Sequence, residues 1–155
     1  MSRRSIVKKH YPASDSKYKS FLLSLLIGRI LKKGKKQRAN SIIIETFTII
    51  KKKTNNDPLH IFESALKRLT PHMEVKGKKI GGSTYQVPVP VSPYRGIILA
   101  LSWLLKAAVT RSIRTTSLKL ANEIIDASKG IGNAVRKCDE IHSMAKANKA
   151  FAHYQ

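Results

Sequence analysis

The chain has 155 residues, 42% of them hydrophobic, with 30 lysines and arginines against nine acidic residues and a formal net charge of +21. That length suits one domain, and the apolar share is enough to bury a core, which excludes a wholly disordered chain. So large a positive excess opposes compaction and points to a polyanionic partner, while the lone Cys138 excludes an internal disulfide or a cysteine metal cluster.

The excess is not confined to a tail. Residues 1–53 carry 15 basic and two acidic residues, Asp15 and Glu45; residues 54–155 carry the other 15 basic residues against seven acidic ones. Residues 1–16 lack an apolar period and read as a basic arm containing Arg3, Arg4, Lys8 and Lys9. Residues 17–155 read as one helical domain. No apolar signal core follows the first cations, and no stretch approaches the ~20 apolar residues of a membrane span. The expectation is a protein made where it works, with no membrane partner.

Tyr18, Leu22, Leu25, Leu26 and Ile30 recur at helical spacing and predict a helix over 18–33, with Gly34 where a C-cap glycine would stand. Ala39, Ile42, Ile43, Phe47 and Ile50 predict a second over 37–52. After the turn Thr54-Asn55-Asn56, Asp57-Pro58 is an N-cap acceptor followed by a proline suited to the first helical position. Leu59, Phe62, Ala65, Leu66 and Leu69 continue that third helix until Thr70-Pro71 stops it.

A hairpin is predicted at about 72–91. Gly81-Gly82 accepts the positive φ of a tight turn, and Tyr85, Val87, Val89 and Val91 share one face of the second strand. Pro88 and Pro90 cannot donate to a ladder, which leaves a free edge at the base. Lys76, Lys78 and Lys79 gather towards the tip, where no carboxylate is expected beside them. Ser92-Pro93 opens the most apolar helix, about 93–110, with Ile97, Leu101, Trp103, Leu104 and Ala108; it is expected to be the central core helix. A helix over 116–128 follows a polar loop. Gly130-Ile131-Gly132 bends the chain before a last helix, about 133–151, whose apolar stripe is weak. The predicted class is mainly α: a single-domain bundle of about six helices with one protruding two-stranded β-hairpin.

No pattern supports catalysis, and no cofactor or metal is expected. His10, His60, His72, His142 and His153 lack ligand spacing, and Cys138 fits core filling better than nucleophilic chemistry. Gly28 to Gly34-Lys35-Lys36 is one residue too long for a phosphate-binding loop, and Lys36 stands where a magnesium-binding hydroxyl is needed. The same corner has another reading. Arg29, Lys32, Lys33, Lys35, Lys36 and Arg38 place six cations between two apolar helices. The second of these helices is isoleucine-rich and must be buried, so the corner is the available surface. That favours contact with the phosphates of a folded RNA over base reading in a DNA groove.

Several ordered blocks carry a family resemblance. They are Arg3-Arg4 with Tyr11-Pro12, Gly34-Lys35-Lys36, Asp57-Pro58-Leu59, Gly81-Gly82-Ser83-Thr84-Tyr85-Gln86-Val87-Pro88-Val89, Arg95-Gly96, Trp103-Leu104-Leu105, residues 132–137 and residues 145–154. In these the chain resembles, end to end, the small-subunit ribosomal protein seven family of bacterial and organellar type. Gly77 in the first strand, Ser112-Ile113, and Cys138-Asp139 after Lys137 depart from the family pattern. The resemblance implies a helical bundle with a hairpin. It also implies a primary binder of small-subunit rRNA that nucleates assembly of the subunit head. Its partners would be that rRNA, other head proteins, and the exit-site tRNA and outgoing mRNA nearby. It puts rRNA contact on Arg3, Arg4, Lys8, Lys9, Arg29, Lys32, Lys33, Lys35, Lys36, Arg38, Lys76, Lys78, Lys79, Arg95, Arg111 and Arg114. Proximity to tRNA and mRNA falls on Lys78, Lys79, Gly81, Gly82, Arg136, Lys137, Lys146 and Lys149. The bias of 21 lysines over nine arginines resembles products of AT-rich organelle genomes, so a plastid ribosome is preferred over a mitochondrial or bacterial one. The competing class is a free nucleic-acid chaperone or DNA-binding regulator. It would need a dimer surface or a polar recognition helix, and the sequence shows neither.

Overall fold

The structure, a computed structural model, describes residues 11–154. Within them the chain forms α1 (Phe21–Ile30), α2 (Lys36–Thr54), α3 (Pro58–Leu69), β1 (Met73–Ile80), β2 (Ser83–Pro90), α4 (Pro93–Thr110), α5 (Thr116–Lys129) and α6 (Asn133–Ala147). A 3-10 turn, Lys149–Tyr154, follows. The fold is the expected helical bundle with one hairpin. The basic arm's Arg3, Arg4, Lys8 and Lys9 lie outside the described residues.

Local chemistry sets several boundaries. The Asp57 side chain accepts the Leu59 N–H at 3.3 Å, and Pro58 occupies the first turn of α3. Pro93 does the same for α4, but the Ser92 hydroxyl makes no capping bond. Gly34 does not cap α1, which ends at Ile30 with Leu31 as its C-cap. Instead Lys33 and Gly34, with φ 51° and 72°, form a tight turn in which Lys35 N–H donates to Lys32 C=O at 3.1 Å. The last helix stops at Ala147, short of the predicted 151, and the Asn148 amide takes up the Met144 carbonyl at 2.8 Å.

The core gathers Leu23 and Leu26 of α1, Ile43, Phe47 and Ile50 of α2, Phe62 and Leu69 of α3, Leu101 and Leu104 of α4, and Leu120 and Ile124 of α5. The central helix is α5, not α4 as the apolar content of 93–110 suggested. α5 packs against α2, α3, α4 and α6 and buries half its length. The more apolar α4 turns only Gly96, Ala100, Leu101, Leu104, Ala107 and Ala108 fully inward, and Trp103 is half-buried outside the main core cluster. Small residues on α4 allow a close approach of helices, which composition alone does not reveal.

A buried charge network stands at the heart of α5. Glu123 is fully buried. Its Oε2 accepts from Arg111 at 2.6 Å, and its Oε1 accepts the Ala134 N–H at 3.1 Å. Arg111 also binds Asp126. Gly132, at the N-cap of α6, has φ 112°, and a Cβ there would stand 3.1 Å from Glu123 Oε1. A glycine without a capping side chain thus lets a carboxylate from another helix cap α6.

Gly81 and Gly82 have φ 55° and 92°, the double left-handed turn that suits a two-residue hairpin loop. The ladder pairs Met73 with Pro90 through to Ile80 with Ser83. Two base residues of β2, Val87 and Pro88, are buried, and the Tyr85 ring lies 5.3 Å from Phe151. The hairpin is therefore anchored on the C-terminal segment at its base, and its exposed reach begins near Gly77.

Candidate nucleic-acid interface

The α1–α2 corner brings Lys32, Lys33, Lys35, Lys36 and Arg38 to the surface, all exposed. Among the described residues none of the five makes an ion pair. Lys33 adopts a left-handed backbone, uncommon for a residue with a side chain, and holds the turn that spreads these cations apart. Between them is a cavity of about 300 Å³ lined by Lys32, Lys33, Lys35 and Arg38 over Ile30, Ala39 and Ile42. Arg29 stands aside from this group, since its guanidinium donates to Ser102 Oγ of α4.

At the hairpin, Lys76 is not free of carboxylates. Its Nζ lies 3.0 Å from Glu74, because residues two apart share a strand face. Arg95 of α4 donates to both oxygens of the same carboxylate at 3.0 and 2.9 Å. Burial by itself raises the Glu74 carboxyl, but hydrogen bonds from Lys76 and Arg95 outweigh it and hold the group below its ordinary value. Glu74 thus fastens the hairpin base to the bundle. Lys78, Lys79, Gly81 and Gly82 occupy the exposed outer half.

The structure divides the other sequence-predicted residues. Arg111 is held inside the fold: burial opposes its charge, but bonds to Asp126 and Glu123 raise its pKa overall. Arg114 and Arg136 are exposed, and Lys137 pairs with Glu140 at 2.8 Å. Lys146 and Lys149 line a groove of about 540 Å³ between the hairpin and α6, together with His72, Met73, Pro88, His142, Ala145 and Ala152. Sequence spacing did not reveal this groove. His72 and His142 are 70 residues apart, yet their rings stack with centroids 6.1 Å apart and 4° between planes. The His72 N–H donates to His142 Nε2 at 3.2 Å.

Comparison with known proteins decides what these cationic surfaces belong to. The family model described as "Ribosomal protein S7p/S5e" matches residues 2–149. The chain belongs to this family.

Its similarity to individual members runs almost the full length. It is 54% identical over 144 residues to the small ribosomal subunit protein uS7c of Trieres chinensis, covering 93% of this chain and 91% of that protein. It is 50% identical to the small ribosomal subunit protein uS7 of Synechocystis sp., over 100% of this chain and 99% of that one. The corresponding protein of Gloeothece citriformis is 48% identical over the same shares.

As a member of a ribosomal protein family the chain is structural and not an enzyme. Cys138 is buried at 2% exposure, and burial, then Asp139, raise its thiol pKa, which keeps it protonated at neutral pH. Among the described residues no cluster of three or more histidine, cysteine or acidic side chains is placed to hold a metal, and no helix is long and apolar enough to cross a membrane.

Proposed function

We propose that this chain is a structural constituent of the small ribosomal subunit that anchors on its rRNA through the α1–α2 corner. From there it nucleates assembly of the subunit head. The observation that carries this reading is the group of five exposed cations, without ion pairs among the described residues, on a corner between two packed helices, in a member of a ribosomal protein family. Phosphate contacts made from a corner whose backbone is held between packed helices set the register of the whole domain. Arg114 and the outer hairpin lysines Lys78 and Lys79 extend the rRNA contact, with the N-terminal cations Arg3, Arg4, Lys8 and Lys9. Arg111 and Arg95 act within the fold, by holding α5 and the hairpin base. The hairpin tip, with Lys146, Lys149 and Arg136, faces the exit-site tRNA and outgoing mRNA. The lysine-rich composition and the similarity to the Trieres chinensis protein uS7c favour a plastid ribosome as its location.

The test is the salt dependence of binding to a small-subunit rRNA transcript. Taking away one cation that meets a phosphate lowers the slope of log K against log salt by about one. Replacing Lys32, Lys35 and Lys36 with alanine should therefore lower the slope by about three, with helical content retained. An unchanged slope and affinity would refute the anchoring role of the corner.

A further inference from the structure

The corner cavity has a composition that phosphate binding alone does not require. Lysines on a flat face would hold phosphates equally well, and a strongly hydrated anion gains nothing from aliphatic carbon. Here Ile30, Ala39 and Ile42 form the apolar floor of a cavity of about 300 Å³ rimmed by the cations, and among the described residues no carboxylate lines it. The matching ligand has a flat apolar body with an anion attached. A nucleotide taken out of its stack is such a ligand: its base presents two apolar faces, and its phosphate carries the charge. A paired base cannot enter, because its faces are already stacked in the helix.

We propose that this cavity receives one unpaired, extruded base of the bound RNA. The base rests on Ile30 and Ile42, the planar guanidinium of Arg38 covers its open face, and Lys32, Lys33 and Lys35 hold the flanking phosphates. This rests on the rRNA-binding reading above and adds a site to it. The corner then selects a loop or bulge over continuous duplex, so it supplies specificity as well as attraction. The concentration of cations favours RNA over an acidic peptide with an apolar side chain, since four charges exceed what one carboxylate needs.

Ile42→Trp fills the cavity and leaves every cation in place. Its affinity for the small-subunit rRNA transcript should fall about tenfold, within the range that loss of one stacked base gives, with the salt slope unchanged. Dimethyl sulfate and 2′-hydroxyl probing of the wild-type complex should show one unpaired nucleotide protected at its base, and that protection should vanish with Ile42→Trp. If the indole lowers the melting temperature, Ile42→Gln, which removes the apolar floor without adding charge or much bulk, takes its place. Wild-type affinity and an unchanged footprint in both variants would overturn the base site. A retained salt slope in that result would leave the electrostatic anchoring intact, whereas a flat slope for the wild type would sink both. Normal binding to naked rRNA with defective incorporation into the particle would assign the cavity to a protein neighbour and refute an RNA base there.

Discussion

Removing Glu123 tests whether the buried charge network is structural. Glu123→Ala takes away a fully buried carboxylate that accepts from Arg111 at 2.6 Å and from Ala134 N–H at 3.1 Å. Breaking one partner of a fully buried ion pair costs about 3–5 kcal/mol, because the other charge stays buried without its counterion; here Arg111 is partly exposed. Asp126 still neutralises Arg111 in part, which places this case at the low end. Losing the acceptor for one N–H, about 1 kcal/mol, falls within that figure. A loss of about 3 kcal/mol in a chain of this size lowers the melting temperature by about 6–12 °C. The assay is thermal unfolding followed by circular dichroism, with rRNA affinity measured well below the transition. An apolar pair, Glu123→Leu with Arg111→Met, should recover at least half of the lost stability, since the only charge left without its partner, Asp126, is 37% exposed to solvent. It should also bind rRNA like the wild type, because Arg111 is a fold residue. A fall under about 2 °C for Glu123→Ala would refute the stabilising role of the network. A folded double variant with impaired rRNA binding would return Arg111 to the RNA interface.

Two other perturbations address the hairpin. The Glu74 carboxyl is held below its ordinary value, so its contribution is fully present above the unfolded carboxylate value, about 4.3, and is lost as pH falls through the lower folded one; the melting difference between wild type and Glu74→Gln should therefore shrink as pH is lowered towards 3, and a gap independent of pH would exclude the Arg95–Glu74–Lys76 link as its source. Deleting residues 77–84 removes only the exposed outer half and joins Lys76 to Tyr85, leaving Glu74, Val87 and Pro88 in place. rRNA binding and head assembly should survive while protection of exit-site tRNA is lost, and a block in assembly as severe as that of the corner variant would disprove this separation of roles.

The local elements of this protein are legible in its sequence because their causes lie within a few residues. Asp57-Pro58 starts a helix through a bond two residues long, and Gly81-Gly82 turns the hairpin through φ values only glycine adopts freely. Apolar periodicity marks α2 and α3, whose inward faces need no knowledge of what they meet. The basic corner was equally visible, since the turn that exposes it sits between two such periods. What tertiary structure decided are the partners of those faces. The apolar content of α4 suggested the centre, yet α5 buries the larger share of its residues, including Glu123, whose charge is met by Arg111. Arg95 and Arg111 were indistinguishable in sequence from the corner cations. Only the fold brings Glu74 within reach of one and Glu123 of the other, across 21 and 12 residues. The apolar floor of the corner cavity belongs to the same class: Ile30 closes one helix and Ile42 lies inside the next, and the turn at Lys33-Gly34 alone sets them beneath a ring of positive charge.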